Sequence, residues 1–198
     1  MNKYTLSVVL SMMFVSLPIR AVDNIQKEND IEQVFKVAKM HAKISACSTS
    51  FDENENGEVS STTEDIFLIE DDGVFSTYYV SWDGDLGCGG GSGTSSHIFT
   101  VVQKARHAQY GYIIINDDAF NINQKKDGDE FFNPRFVESV KQISRDKFEI
   151  ISSDYDSPRC NDTGSTNFPS AKYKYLIAKD KGIDWVLEQK QFIACVNE

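Results

Sequence analysis

The chain has 198 residues, with 20 Lys+Arg against 30 Asp+Glu for a formal charge of −10; 40% of it is hydrophobic and 25% charged. That is the composition of a folded globular chain, neither disordered nor collagen-like. The acid excess argues against nucleic acid and anionic membrane surfaces as partners, since both are bound through Lys and Arg.

Residues 1–21 read as a secretory leader. Lys3 supplies the positive start, Tyr4 to Leu17 an apolar stretch without charge, and Pro18-Ile19-Arg20-Ala21 a breaker followed by a small residue. The apolar run falls short of the ~20 residues that a spanning helix needs, so no stable membrane anchor is expected. Cleavage is expected after Ala21, leaving residues 22–198 as one periplasmic or secreted domain. Removing Lys3 and Arg20, and no acid, leaves 18 bases against 30 acids and a charge of −12.

From Asp30 the pattern becomes helical. Ile31, Val34, Phe35, Ala38 and Ala42 recur on one face, Asp30 and Gln33 fit a capping arrangement, and Lys39 and Lys43 sit late, where the helix dipole favours cations. This predicts an amphipathic helix over 30–44. After a polar stretch at 50–64, β-rich runs at 65–70 and 74–82 flank Asp71-Asp72-Gly73, a hairpin signal. Further pairs are predicted at 97–104 with 110–116, 136–143 with 147–153, and 172–179 with 183–196. Successive hairpins argue for a meander rather than for βαβ units. The expected fold is therefore α+β, an N-terminal amphipathic helix packed on a mostly antiparallel meander sheet. Phe75, Tyr78, Tyr79, Trp82, Tyr110, Tyr112, Tyr173, Tyr175 and Trp185 fall in these strands and are expected in the core or in cross-strand pairs.

All four cysteines lie beyond the leader, and an even count in an exported chain reads as two disulfides. Cys47 follows the helix and Cys195 sits in the last strand, whereas Cys88 and Cys160 lie in polar loops. This favours Cys47–Cys195 and Cys88–Cys160 among the three connectivities.

The most unusual stretch is Asp83-Gly84-Asp85-Leu86-Gly87-Cys88-Gly89-Gly90-Gly91-Ser92-Gly93-Thr94, with five glycines between positions 87 and 93. It fails as a phosphate loop because Gly90 stands where the Lys belongs, and as a dinucleotide loop because its glycine offsets do not fit and a strand follows. It misses a nucleophile elbow because Thr94 replaces the second Gly around Ser92. A cysteine-pinned glycine loop suits recognition, so Asp83, Asp85, Gly89, Gly90, Gly91 and Ser92 are the candidate binding residues. Asp83 with Asp85, and Asp127 with Asp129, hint at calcium-loop spacing but lack the further oxygen ligands at fixed offset. Asp117 and Asp118 read as turn residues. His41, His97 and His107 have no partner at zinc spacing. No metal or other cofactor is expected.

The general plan of leader, helix, disulfide-tied sheet and acidic surface is similar to that of periplasmic inhibitor and immunity proteins, without the cysteine-bounded loop signature of lysozyme inhibitors. The expected function is that of an exported, non-enzymatic acidic binding protein that neutralises a basic protein partner, such as a cell-wall hydrolase or a periplasmic toxin. The alternatives are an exported hydrolase using Ser92 and His97 with Asp83 or Asp85 as the acid, or a calcium- or small-ligand-binding module.

Overall fold

A computed structural model describes residues 19–89, 94–104, 111–122, 131–155, 159–160, 169–182 and 184–196, with residues 19–26 by their backbone alone. Among the described residues one α-helix, α1 (Ile19–Ser45), precedes eight strands: β1 (Ile66–Asp71), β2 (Ser76–Gly84), β3 (Ser96–Lys104), β4 (Tyr112–Asn116), β5 (Val137–Ser144), β6 (Lys147–Asp154), β7 (Ala171–Asp180) and β8 (Asp184–Cys195). The four expected hairpins are present, each within a few residues of its predicted bounds, and the fold is α+β. The strands form two antiparallel sheets of four, in the orders β1-β2-β3-β4 and β5-β6-β7-β8.

Strand alternation gives the first sheet two apolar faces. One face carries Tyr78, Val80, Trp82, Ile98 and Val102 and receives the stripe Val34, Ala38 and Ala42 of α1, all buried. The other carries Phe67, Ile69, Tyr79, Phe99 and Val101 and packs on Phe148, Ile150, Tyr173, Tyr175, Ile177 and Trp185 of the second sheet. The layers are therefore helix, sheet, sheet. Rings dominate the inter-sheet core. Phe67 meets Phe148 edge-on at 5.2 Å between centroids, and Trp185 Nε1 donates to the Tyr79 hydroxyl at 2.9 Å. The strand aromatics fill these cores largely as expected. Phe75 is exposed instead, Tyr112 is half-buried, and Tyr110 lies outside the described residues.

The expectation of one sheet is refined by two rings from the loop at 117–134. Phe120 and Phe132, both fully buried, sit between the sheets, with Phe120 against Phe99, Phe148 and Trp185. These two rings thereby wedge between the sheets and join their facing layers into one core.

Three local readings are corrected. The helix starts at least eleven residues before Asp30, because no Gly or Pro interrupts 19–29, and Asp30 is not a cap. It is buried in mid-helix. Lys104 Nζ donates to both its oxygens at 2.6 and 2.8 Å, and the Tyr112 hydroxyl donates at 2.8 Å. Asp117 is likewise more than a turn residue. It accepts from Thr100 Oγ1 at 2.6 Å and lies 2.8 Å from His41 Nε2, while Thr100 accepts from the Trp82 indole at 2.8 Å. This chain of polar contacts ties α1 to the first sheet.

The disulfide pairing is also corrected. The bonds are Cys47–Cys88 and Cys160–Cys195. Joining Cys47 to Cys195 and Cys88 to Cys160 rested on the kind of element each cysteine falls in, not on where those elements lie. With two sheets, each bridge stays in its own half. The first fastens the residues after α1 to the end of β2. The second fastens the connection between β6 and β7 to the end of β8. No helix among the described residues is long and apolar enough to cross a membrane.

Candidate functional site

One cluster of polar side chains lies where β2 ends and β3 begins. The chain leaving α1 runs along the end of β2. Cys47 N–H donates to the Asp85 carbonyl at 3.0 Å, Asp85 N–H to the Ser48 carbonyl at 3.1 Å, and Ser50 N–H to the Asp83 carbonyl at 2.8 Å. The Cys47–Cys88 bond locks this arrangement. Ser50 Oγ accepts from Asp83 N–H at 2.9 Å and lies 2.6 Å from Ser61 Oγ, which holds the 50–61 excursion against the strand.

Residues two apart in a strand share a face. Ser81 and Asp83 therefore both follow Tyr79 on the face turned towards the second sheet. In the β2–β3 register Asp83 is paired with His97. His97 thus reaches both neighbours: its Nδ1 lies 2.7 Å from Asp83 Oδ1, and its Nε2 lies 2.6 Å from Ser81 Oγ. A single neutral tautomer satisfies both contacts, with Nδ1–H donating to the carboxylate and Nε2 accepting from the Ser81 hydroxyl. The imidazole ring also packs edge-on against Phe99, at 4.9 Å between centroids, which limits its rotation. Burial is graded along the three groups. Asp83 is more than half exposed, the His97 side chain is 11% exposed, and Ser81 is buried.

Ser81, His97 and Asp83 line a cavity of about 180 Å³. Its other walls are Ser50, Ser60, Ser61 and Asp65 of the 50–65 excursion and Val137–Val140 of β5. The lining holds three carboxylates and five serine hydroxyls, with no Lys or Arg. Glu138 is held by Lys172 at 2.6 Å and Ser153 at 2.9 Å, and Asp65 accepts from Thr62 N–H at 2.8 Å. His97 also lines a second cavity of about 230 Å³, with Leu86, Phe99, Asp117 and Ile122.

Of the predicted binding residues, Asp83 lines the first cavity. Asp85 is buried and accepts from Thr94 Oγ1 at 3.0 Å, pinning the base of the glycine loop. Gly89 is described, with the Thr94 methyl close to it. Gly90, Gly91 and Ser92 lie outside the described residues, as do His107, Asp127 and Asp129. Among the described residues no group of three or more His, Cys, Asp and Glu side chains is arranged to hold a metal ion. The sequence reading missed Ser81, Ser50, Ser61 and the β5 wall. The signal for Ser81 was present: a Ser two residues before Asp83 in a strand, across a hairpin from His97.

The charge is uneven along the sequence. Residues 44–103 contain eleven Asp and Glu and neither Lys nor Arg. Nearly all the net charge of residues 22–198 thus belongs to the segment that builds β1, β2, β3 and the excursion around this site. No protein-family model, no curated protein and no solved structure matches the chain.

Proposed function

We propose that this is an exported acidic binding protein that neutralises a basic protein partner, with a cell-wall hydrolase or a toxin of the periplasm as the fitting class. The observation that carries this reading is the uneven charge along the chain: eleven acids and no base over residues 44–103. An excess of one sign of charge speeds encounter with a cationic partner and disfavours like-charged ones. The two disulfides support the reading, because loops held before contact lose less freedom on binding. They also fit an oxidising compartment, as does the leader read in residues 1–21.

The test is a biosensor titration of the oxidised protein, residues 22–198, against purified basic cell-wall hydrolases, with a cationic lysozyme as the first probe. The expected result is binding whose association rate falls steeply between low and physiological salt. Replacing Asp52, Glu53, Glu55 and Glu58 by Lys is expected to lower the association rate about tenfold or more, with a smaller effect on dissociation. Absence of binding and of inhibition at low salt across a panel of such hydrolases and toxins would overturn the reading.

A further inference from the structure

A second activity is written in the same cleft. We propose that Ser81 is a nucleophile activated by His97, with Asp83 as the positioning residue, and that it accepts small acyl groups from esters. The proposal stands apart from partner binding, and either can fail alone.

Three observations carry it. First, the contacts are those of a hydroxyl, a base and an orienting acid in sequence, at 2.6 and 2.7 Å, within the reach that proton transfer requires. In the tautomer that donates from Nδ1 to Asp83, Nε2 is left to accept from Ser81 Oγ. Second, the three groups are mounted on two central, directly paired strands rather than on loops, and His97 is braced by Phe99. Such mounting holds geometry through a reaction cycle. Third, Ser81, His97 and Asp83 all line the same cavity.

The shape of the site sets the substrate class. The acid is at the mouth and the hydroxyl at the floor, and the space of about 180 Å³ admits a group of a few heavy atoms. That volume suits an acetyl-sized acyl group better than an extended peptide. The facing wall is β5, an edge strand with an irregular register between Val137 and Ser139. Edge strands keep N–H groups outside the ladder, and such groups are the kind of donor that a developing oxyanion calls for.

The chemistry balances without a metal or a redox partner. Ser81 Oγ attacks the ester carbonyl carbon while its proton passes to His97 Nε2. The bond from the carbonyl carbon to the alcohol oxygen breaks, and the alcohol leaves with that proton. Water then attacks the acyl-Ser81 ester, gives a proton to Nε2, and releases the carboxylic acid as the proton returns to Ser81 Oγ.

The experiment uses the oxidised protein, residues 22–198, with methanesulfonyl fluoride as a small covalent probe and p-nitrophenyl acetate as substrate. Peptide mass mapping is expected to place one methanesulfonyl group on Ser81, with fluoride released. Ser81→Ala is expected to abolish labelling and, like His97→Gln, to lower ester hydrolysis about 100-fold or more. Asp83→Asn is expected to lower kcat about tenfold or more with KM held, since it removes the group that fixes the tautomer. The variants are compared at matched far-UV circular dichroism. Labelling of the wild-type protein needs no variant and decides the matter if a variant fails to fold. An unlabelled Ser81 in the folded wild type, or hydrolysis unchanged in a folded Ser81→Ala, overturns the proposal.

Discussion

Gly84 ends β2 where the Trp82 ring folds back along the backbone. A methyl group there would run into the ring and approach the Ser48 carbonyl oxygen to 3.1 Å. Trp82 is fully buried and tied by its indole to Thr100, so it has little room to yield. Gly84→Ala is therefore expected to cost about 1–3 kcal/mol, the range for overpacking a filled core. Urea unfolding checks this, and a midpoint unchanged from wild type would mean that the ring moves freely. The same residue illustrates what was legible in the sequence. Gly84 stood out only as part of a glycine-rich stretch, and the tested motifs concerned phosphate and nucleophile loops. Its actual constraint comes from a ring two residues earlier and a carbonyl from the chain after α1. Ser81 stayed hidden for a related reason: alternation placed it with Asp83, but the register that brings His97 alongside depends on how many residues the intervening loop absorbs.

The helix meets the first sheet through a buried acid as well as an apolar stripe. Val34, Ala38 and Ala42 were readable from 3.6-residue spacing, because that pattern is local. The role of Asp30 was not, because its partners Lys104 and Tyr112 lie 74 and 82 residues away. Tyr78 faces the same carboxylate, its hydroxyl 3.5 Å from Asp30 Oδ2. Burial, and then the charge of Asp30, push the Tyr78 phenol from 10.0 up to about 12. Burial and a hydrogen bond to Asp30 also raise Tyr112. The sign follows from linkage. In the unfolded chain the phenol ionises near its ordinary value, while the folded chain still holds the proton. The contribution is whole below pH 10 and is lost as the pH climbs through about 12. Urea midpoints measured at rising pH are expected to fall over this window, and Tyr78→Phe is expected to fall less. Equal slopes for the two proteins would contradict the assignment.

At the scale of the whole molecule, the first sheet belongs to two cores at once. Its strands bury Trp82 on the helix side and pack Tyr79 on Trp185 on the other. Neither core survives without that sheet, so the three layers are expected to unfold in one transition. The chain holds two tryptophans, one in each core, which makes the test direct. In Trp82→Phe the remaining fluorescence reports the inter-sheet core, and in Trp185→Phe the helix-side core. Each variant is expected to give the same midpoint by fluorescence and by far-UV circular dichroism, and separated midpoints would show that the layers come apart in stages. The layering was only partly legible, since hairpins declare themselves by short turns. Their division into two sheets rests on Phe120 and Phe132, aromatics in a loop that had no periodicity to mark them.

The bridges within each half have a bearing on how the protein is made. Cys47 and Cys88 are the first two cysteines in the chain, and Cys160 and Cys195 the last two. Each encloses a loop long enough for the crosslink to contribute about 4 kcal/mol in the chain-entropy model. A chain that enters an oxidising compartment N-terminus first presents its thiols in that order. An oxidase that joins each new thiol to the one still waiting arrives at the native set directly. Wrong pairs then need not be opened by thiol exchange, a step that takes seconds to hours. For a chain exported in that way, maturation calls for an oxidant, and the order of emergence does the work of an isomerase.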